Sequence, residues 1–359
     1  MKPMLIEGIF AAATTPFYAD ERVYFRKLEA NMARYSRSLL AGMVVLGSTG
    51  EANMLDDAET REVLRVAAEA TAPEKVLIAG AGRESVKATV QLAEAAAEFR
   101  YDAILVRTPG YYMGQMGDAG VLHYFRSVAD RSPLPVLLYN NPRSVPYQIP
   151  VEAVGELAQH PNIIGIKDSS GSMERIHGMI AATRTAPRRT ATVTPIFEAV
   201  TGRMLEPKTE PPMSEASGSF LPAGNLAGGV AVAGAPPVAP IKTRSREVGF
   251  QVLTGAVGGV LESLEAGASG AILAFAACAP QACQEIYLAW KDHDLKLAKE
   301  KQERIAAAGQ RIVGGLGIRG VKYACDFNSY YGGRARAPLL PVTAEEKAEI
   351  EKLLAEIRN

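Results

Sequence analysis

Cysteine, histidine, net charge and long hydrophobic runs are all in short supply in this chain, and each shortage removes a class of function. The three cysteines, Cys278, Cys283 and Cys325, are odd in number and form no Cys-x-x-Cys pair, so neither a disulfide framework nor a cysteine zinc site is indicated. They read as small apolar packing residues in a reducing compartment. The four histidines, His123, His160, His177 and His293, fall within helical stretches or at their ends, and none is assigned a catalytic or metal-binding role. Lysine plus arginine balances aspartate plus glutamate at 39 each, so no net field marks a binder of nucleic acid or of a membrane surface. The expected partners are small molecules and further copies of the chain. No apolar run reaches the roughly 18 residues of a membrane span, and the N-terminus shows no signal-peptide pattern. A soluble cytoplasmic protein is expected.

The chain does contain short apolar, β-branched runs separated by helical stretches. They lie at Gly8 to Phe17, Gly42 to Gly47, Val76 to Ala81, Ala103 to Thr108, Pro135 to Tyr139, Ile163 to Lys167, Phe250 to Gly255 and Gly270 to Phe275. Continuous rather than alternating runs suit strands buried on both faces of a parallel sheet. Eight such runs, each followed by a helix, predict an α/β protein of the TIM (β/α)8 barrel type. Asp56 and Asp57 place negative charge at the start of a helix over Glu59 to Ala70, and Ser85 precedes the alanine-rich helix Val86 to Phe99. After the eighth run the pattern is helical, through Gln281 to Lys291 and Leu295 to Val313. A last helix opens with a capping box, Thr343 to Glu346, and presents Ile350, Leu353, Leu354 and Ile357 on one face. The expected organisation is a barrel over residues 1–280 and a C-terminal helical region over 281–359.

One interval breaks the rhythm. About 87 residues separate Ile163 from Phe250, far more than an ordinary crossover needs. The excess, at about 185–247, falls between helix 6 and strand 7 and holds nine of the 22 prolines. Glycine, alanine, serine and threonine dominate from Ser214 to Pro240, so composition predicts a flexible insertion. Its place in the order puts it at the N-terminal face of the barrel, away from the face that carries active sites in this fold. No direct part in chemistry is expected of it, and a role in assembly is.

If the runs are barrel strands, the residues at their carboxyl ends converge on one pocket. Lys167 ends the run Ile163-Ile164-Gly165-Ile166, where a cation is costly to dehydrate unless its pKa falls. A neutral amine in a closed site is a nucleophile, which makes Lys167 a candidate Schiff-base lysine. The plainer reading is a solvated head group whose stem alone packs. Tyr139 ends Val136-Leu137-Leu138 and can deliver a phenol to the same mouth, or satisfy a structural hydrogen bond. Gly47-Ser48-Thr49-Gly50-Glu51 offers amides and hydroxyls to a carboxylate, or forms a capped strand-to-helix turn. Tyr111 and Tyr112 fit a site or an interface. Thr254 to Gly259, TGAVGG, leaves open a barrel that binds a phosphate-bearing ligand without turning it over.

Taken together, GSTGE at Gly47 to Glu51, TPGYY at Thr108 to Tyr112, LYNNP at Leu138 to Pro142 and GIKDSS at Gly165 to Ser170 resemble the pyruvate-dependent class I aldolases. That family includes dihydrodipicolinate synthase, N-acetylneuraminate lyase and 4-hydroxy-2-oxoglutarate aldolase. The order of the motifs, the 28-residue interval from Tyr139 to Lys167 and the ending YYGGRARAPL are also similar. The resemblance covers the chain outside about 185–247. It implies a covalent imine between Lys167 and pyruvate or a pyruvate-derived 2-oxo acid, with no metal or organic cofactor. It also implies proton transfer by Tyr139, a relay through Ser48 and Tyr111, and a carboxylate site at Ser48 and Thr49. Tyr111 would reach across a subunit interface, so a homodimer or homotetramer is expected. Gly47, Arg143, Ser169 and Gly255 complete the expected substrate-binding set.

The resemblance also ranks activities. Dihydrodipicolinate synthases read Tyr-Asn-x-Pro-x-Arg-Thr-Gly, whereas here Arg143 follows Pro142 directly and Ser144-Val145 replace Thr-Gly. SPLPVLLY, GFQVLTG and the Tyr-Tyr-Gly-Gly ending look closer to 4-hydroxy-2-oxoglutarate aldolase, which splits its substrate into pyruvate and glyoxylate. That activity ranks first, dihydrodipicolinate synthase second and a sugar-acid lyase third.

Overall fold

Eight apolar segments, each too short to be a stable helix and each bounded by turn residues, pair side by side as parallel strands. In the computed structural model, which describes residues 4–196, 198–206 and 241–357, the first six are β1 (Gly8–Ala12), β2 (Gly42–Val45), β3 (Val76–Gly80), β4 (Ala103–Arg107), β5 (Val136–Asn140) and β6 (Ile163–Asp168). Two strands of a different kind follow, β7 (Arg189–Val193) and β8 (Arg244–Val248), and then β9 (Gln251–Thr254) and β10 (Gly270–Leu273). The barrel closes in the order β1-β10-β9-β6-β5-β4-β3-β2. Its interior is filled by side chains such as Phe10, Val44, Ile78, Leu105, Leu137 and Ile272, all buried. It is a packed core with chemistry confined to the mouths.

Helices α1 (Phe25–Ser36), α2 (Asp57–Ala70), α3 (Val86–Glu98), α4 (Met113–Arg131), α5 (Val151–Leu157), α6 (Met173–Ala182) and α7 (Val260–Glu265) alternate with the barrel strands. Their apolar faces bury against the outer side of the sheet in one continuous cluster. The predicted starts are present: Asp56 and Glu59 form a reciprocal capping box on α2, and the Ser85 hydroxyl accepts from the Ala88 amide on α3. Each such cap is worth about 1 kcal/mol. Four further helices follow, α8 (Pro280–Lys291), α9 (Leu295–Gly309), α10 (Gly317–Phe327) and α11 (Ala344–Leu354). The Thr343–Glu346 capping box opens the last of them. The helix predicted over Leu295 to Val313 changes character at Gln310, where a π-helical turn, Gln310–Gly315, carries the chain into α10. All three cysteines are buried, and none is joined in a disulfide. Among the described residues no helix is long and apolar enough to cross a membrane.

The described flanks of the insertion are structured, which corrects the expectation of flexibility at its two ends. β7 and β8 form an antiparallel hairpin, and Ala191, Val193 and Leu5 bury together under the barrel. The Arg189 guanidinium donates to the carbonyls of His160, Pro161 and Ile163 at 2.9, 3.1 and 3.0 Å, at the base of β6. Thr201 donates to the Pro73 carbonyl at 2.5 Å, and Arg203 reaches Asp102 at 3.3 Å. These contacts fall before the strands begin, so the hairpin and its strap close the N-terminal mouth. The central part of the insertion, residues 207–240, including all of Ser214 to Pro240, lies outside the described residues.

Candidate active site

β6 delivers Lys167 to the opposite mouth, beside Tyr139 on β5 in the strand register. Both are buried, at 6% and 7% exposure, and the Lys167 Nζ lies 4.4 Å from the centre of the Tyr139 ring. The space in front of this pair exists because residue 255 has no side chain. A Cβ there would stand 2.1 Å from the Ser169 Oγ and 3.1 Å from the Lys167 Cε. The strand end behind the lysine is held by Asp168, whose buried carboxylate accepts from the Asn140 amide at 2.8 Å, the Ser170 amide at 2.8 Å and the Arg175 Nε at 3.4 Å. Ser170 adds a short hydroxyl contact to the same oxygen. A lysine on an anchored strand, next to a glycine at the end of the neighbouring strand, keeps one rotamer range and one direction of approach.

Tyr139 is acidified. Burial pushes its phenol up, but the Lys167 charge and hydrogen bonds with Ser48, Ser169 and Lys167 outweigh that and bring it below the ordinary phenol value. A phenol with a lowered pKa exchanges protons more readily near neutrality, which suits an acid–base group.

The GSTGE segment folds as a short turn over Ser48–Gly50, tied by the Thr15 hydroxyl to the Gly50 carbonyl at 2.7 Å. Thr49 is buried and Ser48 exposed to the cavity, where its hydroxyl accepts from the Asn141 amide at 3.4 Å. Glu51 has a role that only the structure reveals. Its carboxylate meets the Lys322 ammonium at 2.5 Å, with both side chains fully buried, and accepts from the Arg336 amide at 2.8 Å. Lys322 also donates to the Arg334 carbonyl at 2.7 Å and sits 4.3 Å from the Phe17 ring centre. Burial pulls the Lys322 pKa down and Glu51 opposes it. A staple between residues 271 positions apart leaves no local signal in sequence. It pins the Ser48–Gly50 turn to the C-terminal loop.

A cavity of about 530 Å³ is lined by Ser48, Thr49, Tyr139, Arg143, Lys167, Ser169 and Gly255. Thus seven of the nine predicted site residues share one chamber. The exposed Arg143 forms a wall of it and makes no ion pair to a described residue. The glycines of TGAVGG line this same chamber and build no separate site. Gln310, Val313 and Ile318, from the π-helical turn and the start of α10, form its roof. Sequence reasoning missed these, and a π-turn at a pocket is a recurrent functional feature.

Gly47 and Tyr111 line an adjoining cavity of about 430 Å³ that shares Ser48 and Tyr139 with the first. Tyr111 is 82% exposed and Tyr112 58%, edge to face at 5.0 Å. Their loop is fixed by Glu84, another residue the sequence did not single out. Its carboxylate accepts from the Gly110 and Tyr111 amides, each at 3.0 Å, and pairs with Arg107 at 2.8 Å. Burial would raise its pKa, but the Tyr111 amide and Arg107 prevail and hold it below the usual carboxylate value. Among the described residues there is no group of three or more His, Cys, Asp or Glu side chains placed to hold a metal ion.

Comparison with known proteins bears on this arrangement. The model of the dihydrodipicolinate synthetase family matches residues 5–187 and 238–357, leaving out most of the insertion. A 4-hydroxy-tetrahydrodipicolinate synthase of Methanosarcina mazei is 33% identical over 180 residues, which are 50% of this chain and 60% of that relative. A probable mitochondrial 4-hydroxy-2-oxoglutarate aldolase of Emericella nidulans is 27% identical over 360 residues, covering 98% of this chain and 95% of the relative. In fold, the crystal structure of a dihydrodipicolinate synthase from Bacillus anthracis superposes with a TM-score of 0.77 over 100% of both chains, at 22% identity. The matched segments contain every strand of the barrel and every residue of the lysine chamber, and on that ground the chain belongs to the dihydrodipicolinate synthetase family.

Proposed function

We propose that the protein is a Schiff-base-forming carbon–carbon lyase or aldolase acting on pyruvate or a pyruvate-derived 2-oxo acid. The observation that carries this reading is Lys167, buried against the acidified phenol of Tyr139 in a chamber whose other wall is Ser48 and Thr49. The free amine of Lys167 attacks the ketone carbon, and loss of water from the carbinolamine gives an imine. Protonated, that imine is the electron sink, so the chemistry asks for no metal or organic cofactor. Ser48, Thr49 and the amides around Gly47 hold the 1-carboxylate. For a 4-hydroxy-2-oxo acid, Tyr139 removes the 4-hydroxyl proton, the C3–C4 bond breaks, and its electrons form an enamine as the aldehyde leaves. Protonation of C3 and hydrolysis return pyruvate and Lys167.

Within that class we rank cleavage of 4-hydroxy-2-oxoglutarate to pyruvate and glyoxylate first. Arg143 supports a substrate with a second carboxylate, because its guanidinium stands on the chamber wall and makes no ion pair to a described residue. Condensation of pyruvate with aspartate semialdehyde is the second reading, favoured by the name of the Methanosarcina relative. Tyr111 completes the proton relay from a neighbouring subunit. Its exposure supports a homodimer or homotetramer, and three buried cysteines joined in no disulfide support a cytoplasmic, reducing setting.

Trapping with pyruvate and borohydride tests the class. A reduced adduct at Lys167 is expected, absent in Lys167→Ala, and a wild-type chain that gains none would sink the reading. Glyoxylate release against aspartate-semialdehyde condensation then tests the ranking. Condensation without glyoxylate release reverses it.

A further inference from the structure

A second cleft lies on the outer wall of the barrel, between the end of α1 and the start of α8, with a volume of about 590 Å³. One wall carries Arg34 and Arg37, and the apolar surfaces are Leu39, Leu288 and the Tyr330 ring. The single carboxylate lining it, Glu285, is already answered by Lys301 at 3.1 Å and Arg304 at 2.7 Å. Arg34 is held by the Ser329 carbonyl at 2.5 Å and lies over Tyr330 at 4.5 Å. Arg37 makes no ion pair to a described residue and is exposed, beside a Leu39 that is 69% exposed. Uncompensated positive charge beside open apolar surface is a recognition pattern for an amphiphilic anion.

The cleft is also wired to the active-site turn. From Ser329 and Tyr330 the chain runs to Gly332, packed so closely that a Cβ would stand 1.8 Å from the Lys322 carbonyl. It then gives the Arg334 carbonyl to Lys322 and the Arg336 amide to Glu51. Glu51 ends the turn that presents Ser48 and Thr49. A ligand that moves Tyr330 therefore pulls on a short strap, hydrogen-bonded at Tyr331, Gly332, Gly333, Arg334 and Arg336, that ends under the carboxylate site.

We propose that the α1–α8 cleft is a regulatory site for a small carboxylate with an apolar body, coupled through residues 329–336 to the Ser48–Thr49 turn. Binding stands apart from the aldolase reading, whereas the coupling rests on it. Benzoate is the probe, with benzamide and inorganic phosphate as controls, titrated calorimetrically into the full chain. Benzoate should bind measurably more tightly than either control. Arg37→Glu should weaken it about tenfold or more and Leu39→Asp severalfold; both side chains are exposed, so folding is preserved. Unchanged affinity in Arg37→Glu overturns the site, phosphate binding as tight as benzoate overturns the organic class, and benzamide binding as tight overturns the anion. For the coupling, saturating benzoate should shift the pyruvate concentration giving half-maximal borohydride trapping by about fivefold in wild type and not in Arg37→Glu. Binding with no such shift discards the coupling alone, and a chain that binds benzoate but never traps pyruvate discards the aldolase reading instead.

Discussion

The two mouths of the barrel are built on opposite rules. At the N-terminal mouth the long polar side chains tie segments together: Arg189 donates to three carbonyls, Arg203 reaches Asp102, and the Gln251 side chain bonds the Ile6 amide and the Met4 carbonyl. Apolar Leu5, Ala191 and Val193 close the remainder. At the C-terminal mouth a glycine keeps a chamber open, a lysine abuts a phenol, and Arg143 makes no ion pair to a described residue. One end holds the fold together and the other is left reactive. The division predicts that substitutions above remove chemistry with little change in stability, and substitutions below do the reverse.

The sharpest way to break that comparison is Gly255→Val. Its side chain would occupy the volume of the Ser169 hydroxyl and the Lys167 stem, so pyruvate adduct formation should vanish while the thermal midpoint moves by only a few degrees. Trapping followed by peptide mass analysis, beside a melting curve, reads both. Tyr139→Phe comes next. Losing a positioned acid–base group should lower turnover by about 10² to 10⁴-fold, with pyruvate affinity little changed. An equal loss in affinity would mean that the phenol binds substrate and does not move protons.

The barrel and the core of the site were legible because their signals are local. Continuous apolar runs mark two-sided burial, and Lys167, Tyr139 and GSTGE stand at the ends of such runs. What escaped notice is carried by distant partners. The Glu51–Lys322 pair, the Glu84 anchor of the tyrosine loop and the Gln310 roof each join segments whose neighbours in sequence say nothing of the contact. The β7–β8 hairpin was hidden by its surroundings. Arg189–Val193 does alternate, with Ala191 and Val193 inward, but the signal sits beside a proline-rich stretch, and β8 is mostly charged.

At the lower mouth, Arg203→Met should cost about 3 kcal/mol, because it strips the partner from a carboxylate that is almost fully buried. Burial already raises the pKa of Asp102 above the usual carboxylate value, against the pull of Arg203. A carboxyl raised in the folded state favours folding below its unfolded pKa, and that advantage is lost as pH rises through the folded value. Without Arg203 the raised pKa climbs further. The deficit in denaturant unfolding should therefore be larger at about pH 7 than at about pH 5, with turnover per folded molecule unchanged at both. Arg246→Ala is the mildest test: its pair with Glu7, at 2.6 Å, is 38% and 25% exposed, so solvent screening limits the loss to about 1 kcal/mol or less. A larger loss would show that the hairpin is docked through this one pair. The expected small one leaves the work to Arg189, Arg203 and the apolar plug, with pyruvate trapping at Lys167 untouched.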